Sequence, residues 1–243
     1  MLNVIIFAAI AGFSLILGAI LGTSLKISQK IIAAIMAFGS GVLICALTFG
    51  LMEEAFKHGG FDAIIVGFLI GGGVFILGDF IIHRFGGRNY KKSKRTKKIR
   101  ETNGKAIFFG ALLDGIPESI ALGIALLSQN GLGVLMVSAI FLSNLPESLS
   151  SVDDLEKEGF SKKQIYIMWG IVSIFVTATT ILSYLFMDVL APNTLGIIEA
   201  FAAGAILAML ADSMIPEAYE NGGYLIGFLT ILGFLTAFML SKA

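Results

Sequence analysis

Long stretches with almost no charge are the feature that most constrains how this chain folds. A helix that crosses a bilayer needs about 20 mostly apolar residues, and the sequence contains eight such stretches. We therefore predict an all-α integral membrane protein in which residues 1–243 form one transmembrane domain with eight transmembrane helices. The first stretch is too long for the apolar core of a signal peptide, so it is kept as a span. The predicted spans are 2–25, 31–52, 63–82, 106–127, 131–152, 165–187, 198–219 and 221–241.

Basic residues are concentrated in one predicted loop. Ten of the seventeen Lys and Arg residues lie within 84–105, between the third and fourth spans. Because positively charged loops stay on the cytoplasmic side, we predict that this loop is cytoplasmic and that both termini are extracytoplasmic. The flanking apolar spans exclude a nucleic-acid-binding role, and we expect the loop to contact anionic lipid headgroups. The expected location is the inner (plasma) membrane of the cell.

Two pairs of segments in the sequence resemble each other. Residues 37–61 and 200–224 share eight of twenty-five positions at a constant offset, including a Glu-Ala pair and a Gly-Gly pair. Residues 112–119 (LLDGIPES) and 141–148 (FLSNLPES) also match. The members of each pair lie on spans that cross the membrane in opposite directions. This predicts a 3+2+3 inverted repeat, which is typical of alternating-access transporters with a site near the bilayer midplane.

Carboxylates inside the predicted spans indicate a functional site, because a charged group in hydrocarbon is costly. Glu118, Glu147 and Glu217 each directly follow a proline. A proline inside a helix leaves the carbonyl four residues earlier without its hydrogen-bond partner. Carboxylate and carbonyl oxygens are ligands that suit a divalent cation.

The spacing of these residues predicts that several of them converge. Asp114 and Glu118 are four residues apart and share a helical face, as do Ser143 and Glu147. Asn144 precedes Glu147 by three residues. Because the two sets lie at similar depth on antiparallel neighbours, we predict one cation site between them. The structural alternatives are that Ser143 bonds to its own helix and that Asn144 holds two helices together.

Other acids in the spans have less decided roles. Asp212 lies deep in the seventh span and is a further candidate ligand along the path. The remaining acids lie close to span ends, where an interfacial role is as well supported as a functional one. These acids are Glu53, Glu54, Glu217 and Glu220.

The DGIPES and SNLPES motifs carry a resemblance to a known family. The chain resembles the ZIP (Zrt/Irt-like) divalent metal transporters, in particular their prokaryotic branch, over essentially its whole length. The segment AFAAGAILAMLADSMIPEA in the seventh span resembles that branch as well. In the family, the fourth span reads His-Asn-x-Pro-Glu, with metal ligands at the first, second and fifth positions. The resemblance implies ligand positions at Asp114, Gly115, Glu118, Ser143, Asn144 and Glu147.

This sequence departs from the family pattern at three of those positions. Asp114 replaces the usual histidine, Gly115 has no side chain, and Ser143 stands where a histidine is common. Oxygen ligands accept Mn²⁺ or Fe²⁺ as well as the zinc that the family favours. Zinc is therefore the expected cargo by resemblance, with manganese and iron left open, and the family also implies a homodimer.

The expected function is movement of a divalent metal into the cytoplasm by alternating access, without enzymatic activity or a resident cofactor. No GxxxxGK[ST] phosphate-binding motif is present in the sequence. One alternative is a metal sensor that binds without net transport. Another is an intramembrane aspartyl protease, since Leu77-Gly78-Asp79 matches part of a GxGD motif.

Overall fold

The computed structural model describes residues 1–86, 104–128 and 131–242, and these residues form helices without strands. Seven helical stretches in these ranges are long and apolar enough to cross a membrane. The predicted helical, multi-pass membrane character is therefore confirmed. Most of the basic loop lies outside the described residues. The helices are α1 (Leu2–Ser24), α2 (Gln29–Ala46), α3 (Met52–Gly86), α4 (Gly104–Ala125), α5 (Leu132–Lys157), α6 (Lys162–Met187), α7 (Pro192–Met209), α8 (Ile215–Gly222) and α9 (Leu225–Lys242).

Two glycines break long helical runs. One candidate span covers the 54 residues of Gln29–Ile82, and Gly60 interrupts it with φ 64° and ψ −162°. Gly223 follows α8 with φ 70° and ψ −149°. A residue with a side chain rarely adopts such angles. These two glycines are related by the same offset as Ala37 and Ala200 in the matching sequences.

Two short π-helical segments also interrupt regular α-helix. Leu47–Leu51 joins α2 to α3, and Leu210–Met214 joins α7 to α8. The second segment follows the first at the same offset that relates the two glycines. A π-helical turn carries one residue more than an α-helical turn, and such segments are frequent at functional sites.

Side-chain hydroxyl groups connect α1, α4 and α6. The Thr177 hydroxyl of α6 donates to the carbonyl of Ala8 in α1 at 3.3 Å. The Ser183 hydroxyl, also of α6, donates to the carbonyl of Ile120 in α4 at 3.2 Å. Helix α5 packs on α1 as well. Such bonds satisfy polar side chains that would otherwise face hydrocarbon.

Glycines let α2 approach α9 and α3 approach α7 at backbone distance. Gly71 of α3 faces the carbonyl of Phe201, and Gly204 of α7 faces the carbonyl of Phe68. A side-chain carbon at either glycine would overlap that carbonyl. Gly41 and Gly233 make the equivalent contacts between α2 and α9. Small residues at crossing points are the usual basis of helix association in membranes.

The outer surface of the helices is largely apolar. Helix α9 buries only Ile226, Gly233 and Ala237 among its 18 residues. Large side chains such as Phe228 and Leu235 face outward from it. A helix whose surface is mostly apolar in this way suits contact with lipid.

Candidate cation site

One cavity of about 90 Å³ contains four of the acids that the sequence singled out. Helices α2, α4, α5 and α6 contribute to its wall, together with the junction between α7 and α8. Its oxygen-bearing lining residues are Asp114, Glu118, Ser143, Glu147, Ser150, Ser151, Asp154, Ser213 and Glu217. The predicted convergence of the fourth and fifth spans on one space is therefore observed.

Glu118 is the most deeply buried acid of the cavity, with 1% of its surface exposed. Its Oε1 accepts a hydrogen bond of 2.8 Å from the Ser143 hydroxyl of α5. Its Oε2 has no hydrogen-bond partner among the described residues. A buried carboxylate oxygen without a partner is costly, so it requires a proton, a water molecule or a cation.

Asp114 and Glu147 extend the acidic wall on either side of this pair. Asp114 lies one turn before Glu118 on α4, and Glu147 lies one turn after Ser143 on α5. Both carboxylates are half-buried. No group of three or more His, Cys, Asp or Glu side chains is already close enough to hold a metal ion within the described ranges. The acids share a cavity without a pre-formed ligand cluster, as repulsion between like charges favours.

Asn144 lies outside the lining of the cavity. Its side-chain nitrogen points toward α1, where the carbonyl of Ala11 lies 3.4 Å away. This contact agrees with the alternative in which Asn144 holds two helices together. Ser143 both lines the cavity and contacts its own helix, because its hydroxyl also lies 3.0 Å from the carbonyl of Ile140.

Asp212 is also absent from the cavity lining. It lies in the π-helical segment Leu210–Met214, and its side chain is exposed on the surface of the chain. The neighbouring Ser213 and Met214 line the cavity instead. The structure thus brings four of the six predicted ligands together and places Asn144 and Asp212 elsewhere.

This placement predicts unequal effects of two matched substitutions. We expect Asp212→Asn to leave divalent-cation affinity within about twofold, as for an exposed surface position. We expect Asp114→Asn to weaken binding by about tenfold, equal to about 1.4 kcal/mol. Calorimetric titration of the purified variants with Mn²⁺ and Zn²⁺ measures both. Equal losses in the two variants would contradict the assignment of Asp114 to the cavity and Asp212 to the surface.

The three Pro-Glu pairs occupy two kinds of helical position. Pro117 lies inside α4 and Pro146 lies inside α5, as predicted. Pro216 lies in the first turn of α8, directly after the π-helical segment. These prolines and the π-helical segment Leu210–Met214 therefore lie in stretches of helix that line the cavity.

Several lining residues were not identified from the sequence. Ser150, Ser151 and Asp154 continue the oxygen-bearing face of α5 beyond Glu147. The sequence contained a signal for them, because they follow Glu147 at helical spacing. Trp169 of α6 also lines the cavity, and its buried Nε1 has no partner within the described residues.

The cavity extends toward the start of α4, which follows the basic loop in sequence, and toward the end of α5. Ile107 near the start of α4 and Asp154 near the end of α5 both line it. The backbone N–H of Gly104 donates to Glu158 Oε2 at 2.6 Å, which holds these two helix ends together. Glu118 lies about 20 Å from Gly104 along α4, at a rise of 1.5 Å per residue. The space therefore connects the buried acids to one end of the helices.

Comparison with known proteins gives one informative similarity. No protein-family model matches the chain. A protein of Arabidopsis thaliana described as a "putative zinc transporter" is 24% identical over 186 residues. The match covers 75% of this chain and 29% of that relative. The chain therefore spans less than a third of the length of the plant protein.

Proposed function

We propose that this protein transports divalent metal cations across a membrane into the cytoplasm through the acidic cavity. The observation that carries the proposal is Glu118, a buried carboxylate with one unpartnered oxygen, in a cavity shared with Asp114 and Glu147. Ionisable groups inside membrane helices are typical of ion pathways. The similarity to the plant protein supports a metal as the cargo.

We propose eight membrane crossings arranged as a 3+2+3 inverted repeat. The break at Gly60 divides the 54-residue stretch Gln29–Ile82 into two crossings. The paired π-helical segments and the paired glycines support the repeat, because each pair recurs at one offset. The contacts also recur in equivalent pairs, with α2 on α9 and α3 on α7. Local geometry that is repeated at one offset is expected from two copies of one unit.

The orientation follows from the basic loop between α3 and α4. In this proposal a cytoplasmic loop at 84–105 leaves both termini outside the cytoplasm and the cavity open toward the cytoplasm. The proposed location is the plasma membrane. Anionic lipid headgroups would contact this loop. A second copy of the chain is the expected partner in a homodimer.

The ligands in the cavity fit more than one metal. Glu118, Asp114, Glu147 and Ser143 offer oxygen atoms, and oxygen ligands suit Mn²⁺ and Fe²⁺ as well as Zn²⁺. A ZIP-type transporter with these residues as ligands is therefore the specific form of the proposal. The acids would close around the arriving ion, whose charge offsets their mutual repulsion. Their protonation on the cytoplasmic side would then favour release.

Uptake into vesicles tests this proposal. Purified protein is reconstituted into proteoliposomes, and entry of Zn²⁺, Mn²⁺, Fe²⁺, Mg²⁺ and Ca²⁺ is measured against protein-free liposomes. The expected result is saturable uptake of at least one of the first three ions. Tight binding by calorimetry without any flux would favour a sensor instead, and neither binding nor flux would overturn the proposal.

A further inference from the structure

A histidine and a buried glutamate form a pair outside the acidic cavity. Glu199 of α7 is 1% exposed, and its Oε2 lies 2.9 Å from His58 Nδ1 of α3. The His58 side chain is 32% exposed. Neither residue lines the cavity that contains Glu118. The pair joins residues far apart in sequence, and nothing in the proposed transport path requires it.

The pair lies where α3 and α7 meet at backbone distance. A side-chain carbon added at Gly196 of α7 would lie 2.9 Å from the Ala55 carbonyl and 2.9 Å from the Gly59 backbone nitrogen. His58 directly precedes this close contact and the break at Gly60. A bond between His58 and Glu199 therefore fixes the first turns of α3 against α7.

His58 is a basic residue in direct contact with Glu199, and several charged groups surround the pair. Glu54 lies close enough to act on the charge of Glu199. Lys57 offsets Glu54, because its Nζ lies 2.9 Å from Glu54 Oε1 and 3.2 Å from Glu53 Oε1. Helix α7 carries no other titratable residue, and the segment Leu47–Leu51 carries none. Two other elements pack on α7 and carry titratable residues. These are α4, with Lys105, Asp114 and Glu118, and the segment Leu210–Met214, with Asp212. The remaining acids of α3 are Asp62 and Asp79.

Burial makes the charge of Glu199 depend on its partner. An ionised carboxylate in an apolar surrounding is costly unless it is paired. Since the carboxylate can only accept, the neutral imidazole donates its Nδ1–H to Glu199 Oε2. Water can deliver a second proton to the pair through the exposed part of the ring. The added proton removes the net negative charge of the buried pair and so lowers the cost of burying it.

We propose that His58 and Glu199 form a proton-binding site, separate from the acidic cavity, that holds α3 against α7 more tightly in acid. Uptake of one proton offsets the charge of the buried pair, so the contact strengthens as the pH falls. Because the pair exists only in the folded form, the folded form binds this proton more tightly than the unfolded form, and the resulting stabilisation is lost as the pH rises. The proposal depends on this geometry and not on metal transport.

Histidine NMR of the full-length protein in detergent tests the proton site directly. The chain has two histidines, so His58→Gln identifies the His58 ring signal. In Glu199→Gln, we expect proton binding by His58 to weaken by about tenfold, because the opposite charge is gone. Asp62→Asn, which removes an exposed acid of the same helix, is the matched control and leaves the titration unchanged.

Thermal unfolding of the same proteins tests the contact between the helices. The wild-type Tm should rise between pH 8 and pH 5 relative to both Glu199→Gln and His58→Gln, and Asp62→Asn should behave like the wild type. A His58 signal that does not titrate in this range, or that titrates identically in Glu199→Gln, would overturn the proposal. If Glu199→Gln fails to fold, a wild-type pH dependence of Tm in His58→Gln would overturn it equally.

Discussion

Glu118→Gln should reduce metal uptake by about 100-fold, which corresponds to about 3 kcal/mol of lost ion binding. The substitution preserves the size of the side chain, and glutamine can still accept the hydrogen bond from the Ser143 hydroxyl. It removes the charge, and it replaces the unpartnered oxygen with an amide that cannot serve as an anionic ligand. Uptake of Zn²⁺ and Mn²⁺ into proteoliposomes at subsaturating concentration measures the effect.

A matched control tests whether the loss of any acidic residue, rather than of one in the cavity, reduces uptake. Glu156 is an exposed glutamate near the end of α5 and does not line the cavity. Glu156→Gln should leave uptake unchanged at equal protein incorporation. A folded, monodisperse Glu118→Gln variant with wild-type uptake would refute the assignment of this residue to the metal path.

Gly71→Ala should lower the free energy of unfolding by about 3 kcal/mol, as expected for an overpacked contact. The new methyl group would overlap the carbonyl of Phe201, so α3 and α7 would have to separate. The contact involves backbone on one side, and no side-chain rotation can relieve it. Thermal and denaturant-induced unfolding of the purified protein in one detergent measure the loss.

Gly73→Ala is the control for the general effect of alanine in this helix. Gly73 lies two residues further along α3, and a side-chain carbon there would meet nothing within 4 Å. Because alanine favours helix over glycine by up to about 1 kcal/mol, this variant should be neutral or slightly stabilised. Similar destabilisation in both variants would show that the close approach of the two backbones does not determine stability here.

The two substitutions examine different parts of the molecule. Gly71 lies in the glycine-mediated contact between α3 and α7, and Glu118 lies in a helix that α6 holds through buried hydroxyl groups. Gly71→Ala is therefore expected to affect stability first and uptake only through loss of folded protein. Glu118→Gln is expected to retain the fold, because a neutral amide is less costly to bury than an ionised carboxylate.

Much of the helical architecture and part of the site could be predicted from sequence. A span is identified by its length and lack of charge, which are local properties, so the predicted ends of α1 and α6 agree with the structure to within three residues. The convergence of Asp114 and Glu118 with Ser143 and Glu147 was also predictable. Residues four apart share a helical face, and both segments bear the same motif.

Two predicted ligands lie outside the cavity because of the way the helices pack and twist, which the sequence does not reveal. Asn144 follows Ser143 by one residue, about 100° around the helix, and the position of α1 determines that its side chain points toward Ala11. The π-helical segment Leu210–Met214 shifts the face of the helix near Asp212 by an extra residue. A uniform helical period cannot predict that shift.

The sequence alone determined the helical, multi-pass character of the chain and which acids its apolar stretches contain, because these depend on residues near each other in the chain. The tertiary structure decided which faces meet. The bond between His58 and Glu199 joins residues 141 positions apart, and the contact of Gly71 with Phe201 depends on how α3 crosses α7. Such contacts arise from helix packing, for which a single sequence has no local pattern.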